Sequence, residues 1–435
     1  MKTIAGIPVF ELEFDKSGKL CVPAQLAHLS THLQQAGVTD LVLFAHGWNN
    51  DIADARRLYT NLFTAFGACL DVLEGRRFAG AIVLWPSKKF TDEEWIPGGV
   101  AAVASHDKAL IRARLKDLGR DVVRLGKSKL VAARAQKIAR AGSLLNTLED
   151  SAPDQEDFIR IVRSLLSDKA AHVDDGTDDL FRLSERELLA RLMAPVTIAA
   201  TPGDGGAVAC SALSTNGGGA SLGHNVLAGI RRLMNLTTYY QMKARAGAIG
   251  VDSVAPLLDK LRRKFPSLRL QLVGHSFGGR VMTAAADASD TQIDSLTLLQ
   301  AAYSHHGLAP KFDGKHDGFF RKMITDRKVR GPIVITFTKN DRAVGIAYPL
   351  ASRLDGSKAA AFGDENDPYG GMGRNGAVKT PEASAGTLHA PDVAYAFSPG
   401  RIYNLNADAV ITGHSDICKP AIARAMACAM ASTVT

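Results

Sequence analysis

Leu268-Arg269-Leu270-Gln271-Leu272-Val273-Gly274-His275-Ser276-Phe277-Gly278-Gly279-Arg280 decides how this chain is read. Leu268 to Val273 is an apolar strand candidate, and Arg280 to Ala286 is a good helix former, so a sharp strand-to-helix turn falls between them. Glycines two positions before and two positions after Ser276 let the backbone make that turn without clashes. The turn leaves the serine hydroxyl clear of the sheet, and the helix that starts there points its first amides at the same place. Ser276 is therefore the candidate nucleophile. The Gly-x-Ser-x-Gly spacing alone decides nothing, because the chain has a second copy, Gly219-Ala220-Ser221-Leu222-Gly223. That copy sits in a glycine-rich stretch with no strand before it, and Ser221 is set aside.

Working outward, the pattern of a covered strand followed by a helix repeats. Ile7 to Phe14 reads as a short strand or hairpin with a turn at Ser17-Gly18, and Pro23 to Ala36 as an amphipathic helix. Leu41 to Phe44 and Ala79 to Trp85 are continuous apolar runs, the mark of strands buried on both faces, with helical periodicity between them from Asp51 to Leu73. After the elbow, strands are expected at Ser295 to Leu299, Ile333 to Thr338 and Ile402 to Leu405. Helices are expected at Val226 to Ala246, Ser253 to Lys264 and from near Pro420. This alternation predicts an α/β fold with a mainly parallel sheet and helices on both faces. From about Lys88 to Ala228 the strands stop and charged, alanine-rich helical stretches take over. The expected organisation is residues 1–87 as the first part of the core, 88–228 as a helical insertion, and 229–435 as the second part. Two loose stretches stand out, Pro202 to Gly223 and Gly363 to Gly386. The second contains Gly370-Gly371-Met372-Gly373, but no strand leads into it and no Gly-Lys-Ser/Thr follows, so nucleotide binding is not read there.

A serine hydroxyl needs a base, and an imidazole base needs a carboxylate to fix its tautomer; in this arrangement the acid and then the base follow the serine along the chain. Asp341 lies just past the apolar run ending at Thr338, at the edge where ligands collect in open α/β sheets. His414 lies in the last loop before the last helix. Asp364 and Asp367 compete with Asp341 from within the loose stretch. His305 and His306 break the order, and His389 is a third competitor for the base. Asp416 is left out of the triad. Ala45-His46-Gly47-Trp48-Asn49-Asn50 follows a strand on the same edge, so the main-chain N–H groups of Trp48 and Phe277 are the expected oxyanion donors. His46 is read as a buried brace of this loop, and His275 as a packing or supporting residue pointing away from the serine hydroxyl.

The chain has 435 residues, 46% of them hydrophobic, ample for a large core. Its net charge is +8. Between Asp107 and Arg140 there are eleven Lys or Arg against three Asp, which equals the whole excess and leaves the rest near neutral. Apolar residues at helical spacing in that segment make it a solvated basic helix face. The alternative is a peripheral contact to lipid headgroups or acidic partners through residues 107–140; nucleic acid is not expected. Five scattered cysteines without CxxC spacing argue against a disulfide framework and a zinc site. No secretory leader or membrane-length apolar run is read, so a reducing cytoplasm is the expected location, with export by a signal-less route left open.

Together, the His-Gly-Trp-Asn loop, the Gly-His-Ser-Phe-Gly-Gly elbow and the late Gly-His-Ser-Asp segment resemble the α/β-hydrolase superfamily, specifically bacterial serine esterases and lipases. The likeness runs over Asp40 to Ser87 and from Leu268 to the C-terminus. It implies an α/β-hydrolase fold, a Ser276-Asp341-His414 triad that cleaves carboxylic or lipid esters without metal or organic cofactor, and an insertion acting as a cap or lid. About seventy residues separate Asp341 from His414, so an additional excursion occupies that connection. The same triad would also serve an amidase, a peptidase, an acyltransferase or a phospholipase-type effector at membranes. A non-catalytic binding module would be marked by a damaged triad, and all three members are present.

Overall fold

Runs such as Asp40-Leu-Val-Leu-Phe-Ala45 have no polar side chain after their first residue, so a strand made from them is stable only in the middle of a sheet covered on both faces. The computed structural model describes residues 1–48, 51–87, 104–120, 128–194, 222–347 and 363–433. They fall into two compact units, one made of residues 1–87, 245–347 and 363–433, the other of residues within 104–244.

In the first unit the chain opens with β1 (Lys2–Ile4), β2 (Ile7–Glu13), α1 (Pro23–Gln35), β3 (Asp40–Ala45), α2 (Ile52–Gly67) and β4 (Phe78–Leu84). In the second unit α3 (Ala104–Arg120), α4 (Ser128–Leu144), α5 (Ala152–Ser164), the single turn α6 (Asp179–Arg182) and α7 (Glu185–Met193) lead into α8 (Leu222–Ile249), within which the two units divide. The chain continues with α9 (Ala255–Lys264), β5 (Arg269–His275), α10 (Phe277–Ala288), β6 (Ser295–Leu299), α11 (Arg321–Thr325), β7 (Ile333–Phe337), α12 (Met372–Asn375), β8 (Ala383–Thr387), β9 (Ile402–Asn406) and α13 (Pro420–Ala431). The nine described strands form one sheet in the order β1-β2-β4-β3-β5-β6-β7-β9-β8. Every neighbouring pair is parallel except β1 with β2. The α/β class and the mainly parallel sheet are thus as the sequence pattern requires.

Side chains alternate across each strand, so each apolar run serves two cores. Val42, Phe44, Val273, Leu299 and Val334 pack with Tyr59, Phe63 and Phe66 of α2 and with Ile422, Met426 and Met430 of α13. Leu41, Leu43, Leu272 and Leu298 are buried on the other side, where α10 lies along β3, β5 and β6. At the N-terminal edge of the sheet the two buried carboxylates are paired: Asp40 with Arg76 and Arg269, Asp294 with Arg262 and Arg330. The C-terminal edge is left for β3, β5, β6, β7 and β9 to present loops.

The second unit has its own core, in which Ile111, Leu115 and Leu118 of α3 meet Ala141 of α4, Phe158 and Val162 of α5, Leu188 of α7 and Ile230 and Leu233 of α8. Its one fully buried ammonium, among the described residues, is satisfied within the unit. Lys243 pairs with Asp175 and donates to Thr177 Oγ1 at 2.8 Å.

Element ends differ from the sequence reading in instructive places. The strand read as Leu268 to Val273 extends through His275, because Gly274 and His275 still pair with Leu298 and Leu299 of β6. The expected break between two helices before Ser253 is a π-helical turn, Gly250–Val254, that joins α8 to α9. Here Gly250 lies so close to α10 that a Cβ would be 2.8 Å from Ala284 Cβ. The stretch Gly363 to Gly386, read as loose, contains α12 and most of β8. Leu222 and Gly223, read as part of the other loose stretch, begin α8; Ser221 and residues 202–220 lie outside the described residues.

Candidate active site

β5 ends at His275 and α10 starts at Phe277, leaving Ser276 alone in the turn with φ 56° and ψ −125°. A residue with a Cβ adopts this conformation only at a cost of about 1–3 kcal/mol, so its surroundings must enforce it. They do so through three main-chain bonds. Ser276 N–H donates to Leu299 O at 3.0 Å, while its carbonyl accepts from Gly279 N–H at 2.9 Å and Ala302 N–H at 3.0 Å. The flanking glycines are required sterically. A Cβ on Gly274 would strike the carbonyl oxygen of Gly278, and one on Gly278 would strike the carbonyl oxygen of Ala45 at the end of β3.

The loop after β3 lies directly on the serine. A Cβ on Gly47 would be 2.6 Å from Ser276 Cβ and 3.1 Å from Oγ, so only glycine allows this approach. The next residue, Trp48, stacks edge-on against Phe277 with ring centroids 5.7 Å apart. The two residues expected to supply oxyanion donors are therefore neighbours, one on each side of the turn. Asn49 and Asn50 lie outside the described residues.

His46 braces the loop from below. Its Nδ1 is 2.9 Å from Gly47 O, and its Nε2 accepts from Trp85 N–H at 3.3 Å. Tyr59 Oη accepts from His46 N–H at 3.1 Å, and the ring stacks on Trp85. Full burial pushes its pKa down to about 4, so the ring is neutral at pH 7.

Asp341 and His414, 73 residues apart, meet. His414 Nδ1 is 2.8 Å from Asp341 Oδ2, while Asp341 Oδ1 accepts from Val344 N–H at 2.9 Å. A carboxylate only accepts, so the shared proton sits on His414 Nδ1 and Nε2 is left as the basic atom. The two loops that carry them are joined by further bonds. Asp408 Oδ1 accepts from Thr338 Oγ1 and Lys339 N–H, and Asn340 Nδ2 donates to Asp408 O and Ile411 O. This pair reaches the elbow through His275, whose Nε2 is 2.9 Å from His414 O and whose ring centroid is 4.8 Å from that of His414.

No family model, curated protein or solved structure matches the chain.

The rival residues have other tasks. Asp367 accepts from Gly363 N–H and Tyr369 N–H, and Asp364 from Asn366 N–H, so both shape a turn. His305 is buried against Asn375, His306 stacks on Phe312, and His389 is exposed beside Tyr395. Asp416 accepts from Thr412 within the His414 loop. Gly373, of the glycine-rich run, donates its N–H to Ala301 O and accepts from Thr338 N–H, so its peptide is consumed by the protein's own backbone. The Gly370 to Gly373 part of the excursion thus lies at the C-terminal ends of β6 and β7.

Of the basic segment, Lys108 pairs with Glu149, Arg140 with Asp157, and Arg134 donates to Leu165 O and Leu118 O, while Arg114 is buried. Lys116 and Lys137 are exposed; the side chains of Arg120, Arg124, Lys127 and Lys129 lie outside the described residues. Among the described residues no group of three His, Cys, Asp or Glu is placed to hold a metal ion, and no helix is long and apolar enough to cross a membrane.

The residue whose place is least readable from the sequence is His275. Its partner is a main-chain carbonyl 139 positions away, which leaves no trace in local pattern.

Proposed function

We propose that this chain is a serine hydrolase of α/β-hydrolase type that cleaves carboxylic esters. The observation that carries the reading is the Asp341–His414 pair joined, through His275, to a serine held at φ 56° between a strand and a helix. A strained serine with nothing to do would be replaced at a gain in stability. In the proposed reaction Ser276 Oγ attacks the acyl carbon and His414 Nε2 takes its proton. The main-chain N–H groups of Trp48 and Phe277 hold the oxyanion, and Asp341 steadies the imidazolium. The alcohol leaves with the proton from His414. Water then attacks the acyl-enzyme, again giving its proton to His414, and releases the acid and the free serine. The helical unit inserted ahead of β5 is proposed to set which substrates are accepted, as a cap.

Hydrolysis of p-nitrophenyl esters of increasing acyl length tests this. Turnover that vanishes in both Ser276→Ala and His414→Gln is expected, and the best chain length separates an esterase from a lipase. Undiminished turnover in either variant would overturn the assignment.

A further inference from the structure

Three loops must be held together for this chemistry, and two of them are already one body. The Asp341 loop and the His414 loop share the bonds of Thr338, Lys339 and Asn340 to Asp408 and Ile411. Nothing in those bonds fixes the distance from His414 to Ser276, which sits in the turn after β5. That connection runs through the residue immediately before the nucleophile. His275 is the last residue of β5, buried at 2% exposure, and it lies against both the His414 imidazole, ring centroids 4.8 Å apart, and the His414 main chain, where its hydrogen bond is made.

Resting on the proposed triad, we infer that His275 is a positioning residue: its Nε2–H donates to the carbonyl oxygen of His414 and so sets the reach of the catalytic base to the adjacent Ser276. The link is short and nearly without slack. It consists of one peptide bond from Ser276 to His275, one side chain with two rotatable bonds, and one hydrogen bond of 2.9 Å. His414 is then gripped at both ends, by Asp341 at the ring and by His275 at the backbone. A carbonyl accepts and cannot donate, so the bond requires hydrogen on Nε2 of His275. Burial supports this by keeping the ring neutral, its pKa pushed down to about 3, so that no second positive charge forms 4.8 Å from the ring that must become imidazolium. On the far side of the ring, Gly47 closes over Nδ1, where a Cβ would be 3.3 Å away. The ring is thus clamped between the oxyanion loop and the base loop.

The length of the side chain gives the test. Glutamine places an amide N–H where Nε2 stands, whereas asparagine ends at the level of Nδ1 and cannot reach the His414 carbonyl. Both are neutral, polar and smaller than histidine. With p-nitrophenyl esters, His275→Gln is expected to keep kcat within a few fold, and His275→Asn to lose about 100-fold in kcat with KM nearly unchanged, as a misplacement of about 1 Å in a reacting group does. Melting temperatures of the two variants check that the difference is not one of folding. The acid limb of the kcat/KM profile should keep the same single ionisation in wild type and His275→Gln. Equal activity of the Gln and Asn variants, or loss of an ionisation on removing His275, would overturn the inference. If Ser276→Ala itself retains activity, the parent reading fails first and the two failures are told apart.

Discussion

Two histidines buried beneath the proposed site should make the first unit sensitive to mild acid. His46 and His275 are wholly enclosed, with pKa values pushed by burial to about 4 and about 3 from an ordinary value of 6.5. In the unfolded chain both regain the ordinary value. Between pH 6.5 and 4 the unfolded state therefore binds up to two protons that the folded state refuses, and stability falls as pH falls. Above pH 6.5 neither group contributes, and below pH 3 the effect saturates. At pH 5 each site has been unfavourable over 1.5 pH units, about 2 kcal/mol apiece and about 4 kcal/mol together. That is a large part of the 5–15 kcal/mol that holds a typical domain. Urea unfolding at pH 7.5 and 5.0, followed by the fluorescence of Trp85 stacked on His46, measures it. His46→Gln and His275→Gln should each recover about 2 kcal/mol of the acid loss, and the double variant about twice that. A double variant with the same pH dependence as wild type would show that these rings are not held neutral.

Other consequences are local. Gly47→Ala places a methyl 2.6 Å from Ser276 Cβ, so p-nitrophenyl ester turnover per folded molecule should fall about 100-fold, and the clash should cost about 1–3 kcal/mol of stability, read by calorimetry. Asp341→Asn keeps an acceptor for Val344 N–H but no longer fixes the proton on His414 Nδ1; kcat should drop by about 10³-fold or more with the fold intact by circular dichroism. Asp294→Ala strands the Arg262 and Arg330 guanidinium groups at the opposite edge of the sheet. It should cost about 3 kcal/mol in urea unfolding and leave activity per folded molecule unchanged.

The strands that carry the site were legible because each is covered on both faces and so is written mainly in apolar residues, without a break over Leu41 to Ala45 and with few polar ones elsewhere, such as Arg269 and Gln271, Ser295 and Thr297, and Thr336. β3, β5, β6 and β7 are of this kind, and their ends bear Gly47, Ser276 and Asp341. β8 was not legible for the opposite reason. Its residues, Ala383 to Thr387, are small and largely exposed at the edge of the sheet, and only main-chain pairing with β9 defines them. Asp341 and His414 could be picked out by position relative to strand ends, and the structure pairs them. The task of His275 could not be, since a carbonyl acceptor has no residue identity. Charge counting told only part of the story of residues 107–140, because it cannot show that Arg114 is buried or that Arg134 and Arg140 are engaged within the helical unit.

Labelling of the intact protein with a fluorophosphonate, followed by peptide mass mapping, tests the central claim most directly. A single phosphonyl adduct on Ser276, absent when His414 is replaced, is the predicted outcome. An adduct on another residue, or none at all in protein that hydrolyses esters, would contradict it.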